Sequence, residues 1–594
     1  MVWRGVTLLF YKRSYIHYCL IMKYITALLL LLNLSVQAQR KDSKTLPRRN
    51  VSTATIVNDR HLQSQIDSLF ANKSRIHTPG AAIAIVKNGK IVYQKGYGYA
   101  NLEYDIPNTP TTVFHIASIS KQFTALSILL LEKEGKLSIN DNINKYLPEM
   151  YTFEKPITIL NLLNHTSGLR DWIYLLGVEG YDLNDMFTQQ QIIKVLNNQK
   201  ELNFEPGTKF MYVNSGYNLL AEIVSRVSGM SFARFVNERI FVPLKMEHSL
   251  VLDDYETIVK NEADSYVLNG KNGYKKMVLS FVNIVGSTGV LTSLEDLSKW
   301  TENFESPRVG DKIIFDQMKQ RGVLTNGDSI SYAMGQFISR YRGLDIIEHG
   351  GSDAAFRTHL LRFPKQRVSI VVLANEASLN ASGIAYKIAD IYLKKELAPA
   401  AVTVLPPPAS TRVIENDPKE LIKYTGKYEL QPGLIMDFAI EGNDLTVNAT
   451  GQGKFKLQQI SPAVFKINNV NGIISFKKNE QNEMDKIDFE INGGKMQGTH
   501  IKEKGLTEEG AKQYTGQYYS NELDVTYSLV YHEGKLIAKN FRSDNNELSQ
   551  IDNDNFSGNQ WFMGIVKFIR NDNQAVTGFV VSSDRISNLR FYKK

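Results

Sequence analysis

A serine and a lysine three residues apart, Ser118 and Lys121, open an apolar run in FHIASISKQFTALSILLLEKEGK. Phe123, Leu126, Ile128, Leu130 and Leu131 predict a helix there, and Gly135 marks its end. Positions i and i+3 share a helix face, which sets the Lys121 amine beside the Ser118 hydroxyl. The same reading puts Ser118 in the first helical turn, where unpaired backbone N–H groups and the helix dipole favour negative charge. A hydroxyl so placed can be made nucleophilic and its developing oxyanion stabilised. The chemistry that suits this pair is acyl transfer. Four letters recur by chance in long chains, so the companions of the pair decide the matter.

The first companion is Tyr212-Val213-Asn214, after the Pro206-Gly207 turn and before a helix whose apolar face includes Leu219, Leu220, Ile223 and Val224. A phenol beside a cationic amine is expected to have a lowered pKa and to exchange protons with Ser118. Asn214 has both an amide donor and an acceptor, enough to hold the lysine and a substrate carbonyl together. The second companion is His349-Gly350-Gly351-Ser352, expected to end a strand over 344–348 and to precede strands over 356–363 and 367–375. Adjacent glycines let a substrate approach the strand backbone, and the following N–H can donate to an oxyanion.

In this order the three elements resemble the serine β-lactamase and penicillin-binding-protein superfamily. The closer likeness is to its class C-like branch, with the related DD-peptidases, D-aminopeptidases and esterases. That branch has S-x-x-K, then Y-x-N, then K-T-G or H-x-G on a sheet strand; Tyr212-Val213-Asn214 points away from class A with its S-D-N element. His165-Thr166-Ser167-Gly168-Leu169-Arg170-Asp171 looks like the family's H-T-S-G-L segment, after an apolar helix over 157–163. Gly286-Ser287-Thr288-Gly289-Val290-Leu291 is similar to its G-x-x-G-L stretch, with Thr292 and Glu295 at capping-box spacing.

The resemblance implies a serine hydrolase working through an acyl-enzyme on a peptide, amide or ester. Ser118, Lys121 and Tyr212 are the expected catalytic residues, with Asn214, His349, Gly350, Gly351 and Ser352 binding substrate and oxyanion. No cofactor is expected, and the ten scattered histidines, without H-E-x-x-H or paired-ligand spacing, give no support to a metal. Where β-lactamases carry Lys-Thr-Gly this chain has His349-Gly350-Gly351, which weakens recognition of a substrate carboxylate and favours a peptidase or esterase. Protonation of His349 near the ordinary imidazole pKa of about 6.5 is expected to restore a cation there. The alternative is a non-catalytic penicillin-recognising or peptide-binding sensor on the same scaffold.

Composition narrows the partners. The formal charge of +8 includes Arg4, Lys12, Arg13 and Lys23, which no acid offsets within residues 1–38. The remainder is mildly basic for 594 residues and gives no reason to invoke nucleic acid. A small molecule or short peptide, of cell-wall origin for instance, is the expected substrate. Met22-Lys23 followed by the apolar stretch 27–34 and Val36-Gln37-Ala38 reads as a signal peptide within a leader over 1–38. The apolar stretch is short for a membrane span, and Cys19, the only cysteine, precedes it. The expectation is a periplasmic or secreted protein without a stable membrane anchor.

A polar lead-in over 39–60 precedes the catalytic region, 61–400. Within it 81–87 and 90–96 form a hairpin about Asn88-Gly89. Strands before and after a long helical insert predict an α/β (α+β) sandwich: an antiparallel sheet flanked by helices, β-lactamase/transpeptidase-like. A Pro-rich linker over 401–415 follows, containing Leu405-Pro406-Pro407-Pro408. Tyr424-Thr425-Gly426-Lys427-Tyr428 then recurs as Tyr514-Thr515-Gly516-Gln517-Tyr518, predicting duplicated β-modules over 416–503 and 507–594. Each is large enough for a small antiparallel barrel with aromatic side chains in its core. The linker predicts a catalytic segment able to fold alone.

Overall fold

The computed structural model describes residues 60–71, 77–270, 273–278, 283–399, 418–431, 433–450, 453–467, 472–491 and 494–594. The expected leader, the lead-in up to residue 59 and the Pro-rich linker lie outside them. Among the described residues no helix is long and apolar enough to cross a membrane.

Strands β1 (Ala81–Lys87) and β2 (Lys90–Tyr97) turn through Asn88 and Gly89, both in the left-handed region. That is the backbone an Asn-Gly hairpin turn requires. The later strands are β3 (Tyr332–Ala333), β4 (Gln336–Tyr341), β5 (Leu344–Asp353), β6 (Phe356–Phe363) and β7 (Val368–Ala374). They join β1 and β2 in one antiparallel sheet of order β3-β4-β5-β6-β7-β1-β2, with Ala81 opposite Ala374.

Alternate residues of a strand face opposite ways, and both faces of this sheet are buried. Ile83 and Ile85 of β1, with Ile370 and Val372 of β7, pack toward helices α1 (Arg60–Ser68) and α6 (Ala381–Tyr392). Ala82, Ala84, Val371 and Leu373 face the larger helical side. That side contains α2 (Lys121–Lys133), α3 (Trp172–Glu179), α4 (Asn214–Ser228) and α5 (Leu294–Asn303). Small alanines on this face let the helices come close to the sheet. The layered α/β sandwich expected from the sequence is the observed fold.

Local boundaries differ in informative ways. The segment expected as a helix over 157–163 is helical at Ile159–Leu163, because the Thr158 side chain accepts from Asn161 N and sets the start. The cap of α5 is Ser293, whose hydroxyl accepts from Asp296 N, rather than the Thr292–Glu295 box. Thr292 is still in a strand, Val290–Ser293, two residues before the helix begins at Leu294.

Two closed eight-stranded barrels follow, spanning Gly426–Ile501 and Gly516–Lys593. Closure leaves neither with a free edge. The repeated tyrosines Tyr424, Tyr428, Tyr514 and Tyr518 are buried among each barrel's aromatic side chains. The second barrel also continues the apolar core of the helical side of the sandwich. Tyr174 of α3 packs edge-on against Trp561, and the Tyr527 hydroxyl donates to Val178 O at 2.7 Å.

Candidate active site

Ser118 lies in a 3-10 turn, Ala117–Ser120, and the α-helix proper begins at Lys121. The first-turn expectation is thus displaced by one short, tighter turn. Its cause is Ala117, whose φ of +48° no α-helix accommodates. Three contacts hold this turn. Ala117 N donates to His115 Nδ1 at 3.3 Å, Thr358 Oγ1 of β6 donates to Ile116 O at 3.0 Å, and Val290 N donates to Ser120 Oγ at 3.1 Å.

The spacing argument survives this change. Lys121 Nζ is buried 3.1 Å from Ser118 Oγ, 2.9 Å from Asn214 Oδ1 and 2.8 Å from the Ser287 carbonyl oxygen. Burial pulls its pKa down to about 7 and Arg585 adds to the fall, against the opposing pull of Asp171 and Asp353. Two of the three neighbours of Nζ are carbonyl oxygens that can only accept. A neutral amine satisfies both with its N–H groups and keeps its lone pair for the Ser118 O–H. The arrangement suits proton abstraction from that hydroxyl.

Tyr212 precedes α4, and Asn214 is the first residue of that helix. The Lys121 ammonium position is 4.9 Å from the centre of the Tyr212 ring. The expected lowering of the phenol pKa does not occur. Burial raises it, and the nearby Ser118 and Arg585 offset only part of the rise. Tyr212 therefore holds its proton at neutral pH. Its buried oxygen has no hydrogen-bond partner of ordinary geometry among the described residues.

The His-Gly-Gly-Ser segment is inside β5, which continues to Asp353 rather than stopping at 348. Gly351 pairs with Thr358, and a Cβ there would stand 2.3 Å from Thr358 Oγ1 and 2.4 Å from Ile116 O. Only glycine permits this approach of the strand to the turn that bears Ser118. Gly350 is opposite His359, and Ser352 is exposed one residue beyond Gly351.

His349 is buried, with its ring centre 6.0 Å from that of Tyr212. Its Nδ1 is 2.6 Å from the Gly350 carbonyl oxygen, so Nδ1 carries the proton and Nε2 accepts from the Tyr332 hydroxyl at 3.3 Å. Burial, with the Lys121 charge, takes its pKa down to about 3. The expected switch to a cation near pH 6.5 is thereby overturned, since a buried ring facing a lysine has no hydration to support a charge.

Several residues of the site were not assigned a role from the sequence. The wholly buried Asp171 carboxylate accepts from Asn214 N at 2.7 Å and from Ile173 N at 3.0 Å, capping α3. His165 is buried against Tyr212 and Tyr332, its ring centres 4.3 and 4.5 Å from theirs. Arg585 arrives from the second barrel, with Nη1 3.7 Å from Asp171 Oδ2. Among the described residues no three His, Cys, Asp or Glu side chains are grouped to hold a metal.

A helix-flanked antiparallel sheet with a lysine against a serine beside its inner strands is the β-lactamase and penicillin-binding-protein type of fold. The Beta-lactamase family profile matches residues 66–392, more than half of the chain, and the protein belongs to that family. It is 28% identical over 311 residues to a D-aminopeptidase of Gluconobacter oxydans (strain 621H), covering 52% of this chain and 58% of that protein. It is also 28% identical over 424 residues to a penicillin-binding protein of Bacillus subtilis (strain 168), covering 67% of this chain and 89% of that one. The solved octameric penicillin-binding protein homologue from Pyrococcus abyssi superposes with a TM-score of 0.52 at 24% identity, over 74% of this chain and all of the other, which shows a shared fold.

Proposed function

We propose that the protein is a serine hydrolase of the class C-like branch that works through an acyl-enzyme on small amide, peptide or ester substrates. The observation that carries this reading is Lys121 Nζ, buried and held 3.1 Å from Ser118 Oγ by two carbonyl acceptors. Lys121 takes the Ser118 proton as Oγ bonds to the substrate carbonyl carbon. The backbone N–H groups of Ser118 and Ser352 receive the oxyanion. Tyr212, still protonated, gives its proton to the leaving nitrogen or oxygen as the carbonyl re-forms, and Lys121 returns one to the phenol. Water then adds to the acyl carbon and loses its proton to Lys121. Collapse frees the acid and restores the Ser118 O–H.

A neutral His349 supplies no cation where β-lactam-hydrolysing relatives have lysine, so D-amino acid amides and peptides or short esters are favoured over β-lactams. Export to the periplasm fits the leader pattern and is checked by mature-protein sequencing, with Gln39 expected first.

The test is covalent labelling by a fluorophosphonate with turnover of esters, D-amino acid amides, D-Ala-D-Ala peptides and a chromogenic cephalosporin. Ser118→Ala should abolish both labelling and turnover while leaving the fold intact. A folded alanine variant with wild-type turnover would refute the nucleophile. Since the neutral amine is the active form, kcat/KM should rise about tenfold per pH unit below about 7 and level off above it.

A further inference from the structure

Val576–Ser583 and Ile586–Lys593 of the second barrel are joined by a tight turn, Asp584-Arg585, which enters the catalytic half of the molecule. The Arg585 carbonyl accepts from Asp171 N at 3.2 Å and from Asn203 Nδ2 at 3.0 Å, and Ser587 N donates to Asn203 Oδ1 at 2.7 Å. Its guanidinium lies between two carboxylates: Nη1 is 3.7 Å from Asp171 Oδ2 and Nε is 3.3 Å from Asp584 Oδ2. It also stands 5.5 Å from the centre of the Tyr212 ring and 6.0 Å from that of Tyr174.

Asp171 Oδ2 therefore faces two groups at once, the Arg585 guanidinium and the N–H of Asn214. Asn214 in turn holds Lys121 through its Oδ1. The line runs unbroken from the barrel turn to the nucleophile: Arg585, Asp171, Asn214, Lys121, Ser118.

We infer that the second barrel completes the catalytic centre, with Arg585 as the positioning residue that holds the Asp171 carboxylate and, through it, Asn214 and Lys121. A buried carboxylate is retained as an anion only when cations and N–H donors face it. Asp171 has two N–H donors from its own half of the molecule, and the barrel brings the cation. Burial pushes the Asp171 pKa up, and Arg585 is the largest influence pulling it back.

The role has an electrostatic signature that mere interdomain packing lacks. Lys121 is faced by Asp171 from the loop before α3, by Asp353 and His349 of β5, by His165, and by the Tyr212 and Tyr217 rings. Arg585 is the cation that balances those carboxylates. Without it, Lys121 is the remaining cation facing Asp171, and the buried pair favours protonated Lys121. The Lys121 titration then moves up, by about one pH unit or more.

This inference rests on the serine hydrolase reading for its meaning, and its test is independent of turnover. The ε-carbon of lysine is followed by 13C NMR against pH in the full chain, with the Lys121 signal identified by its loss in Lys121→Arg. Arg585→Gln should shift that titration upward and slow fluorophosphonate labelling at pH 7 about tenfold. Arg585→Lys should recover most of both. An unshifted titration in folded Arg585→Gln overturns the inference. If that variant fails to fold, Arg585→Met, which keeps the apolar stem, is expected to give the same shift, and no shift overturns the inference equally. Absence of labelling in the wild type would instead refute the hydrolase reading, leaving the Lys121 titration as the separate measure of Arg585.

Discussion

The two barrels have the same closed eight-stranded topology and the same Tyr-Thr-Gly-x-Tyr entry, yet they stand differently toward the rest of the molecule. The first keeps its own core, with Tyr428, Phe438 and Phe476 in edge-on contacts of 5.0 to 5.6 Å. The second has an interior of the same kind, but its apolar side chains run on into the helical side of the catalytic sandwich. Beside that apolar contact lies a buried ion pair, Arg170 Nη1 to Glu522 Oε2 at 2.6 Å. A duplicated module thus serves once as a unit with a core of its own, tied to its twin by contacts such as Lys427 Nζ to Ser557 Oγ, and once as a wall of the catalytic half. The difference lies at one end of the second barrel, where the loop residues Trp561 and Phe562 and the hydroxyl of the inward Tyr527 meet α3.

The largest effect should come from removing the second barrel, residues 504–594. Against the expectation from the linker that the catalytic segment folds alone, it should then be insoluble and inactive, because apolar side chains that pack against the barrel would face water. Recovery of a soluble, active fragment would mean that the two barrels are equally detachable.

A smaller effect is expected from Glu522→Gln, which leaves the enclosed Arg170 with only Glu201, 3.6 Å away, as a carboxylate partner. Breaking such a buried pair costs about 3–5 kcal/mol. Thermal unfolding should show the loss in the transition that includes the active site, with turnover falling at temperatures near it. The smallest effect on turnover should come from Phe438→Ala in the first barrel. It should destabilise that barrel by about 3–5 kcal/mol and leave kcat/KM on a small ester unchanged. A fall in kcat/KM with Phe438→Ala would show that the first barrel is also coupled to the site.

Much of the candidate site was legible because it is local. The Ser118–Lys121 pair needs only one turn of backbone to meet, and Tyr212 and Asn214 enter through the start of their own helix. What was hidden depends on burial and on long-range packing. The direction of the Tyr212 pKa was misjudged because the sequence shows the neighbouring lysine but not the desolvation that outweighs it. The His349 reading failed for the same reason: nothing in the letters says that its Nδ1 faces a carbonyl and its whole ring is enclosed. Asp171 lay within a recognised segment, though its contact with Asn214 joins two helix starts by tertiary packing. Arg585 had no local signal at all. Its neighbours read as an ordinary barrel turn, and its partner is hundreds of residues away. The duplicated barrels were legible from their repeat and their alternating pattern, whereas the fusion of one core with another leaves no periodicity to read.

The order of synthesis gives the strand pairing a further meaning. β1 is made early but must wait for β7, with Ala81 paired to Ala374, and the Asp171 amide waits longer still for the Arg585 carbonyl. Such distant pairings close slowly, and the unpaired strands remain exposed to aggregation while they wait. Ser118 is therefore built hundreds of residues before its surroundings exist. A nascent chain carries Ser118 as an ordinary hydroxyl, and those surroundings are complete only after the last barrel has closed.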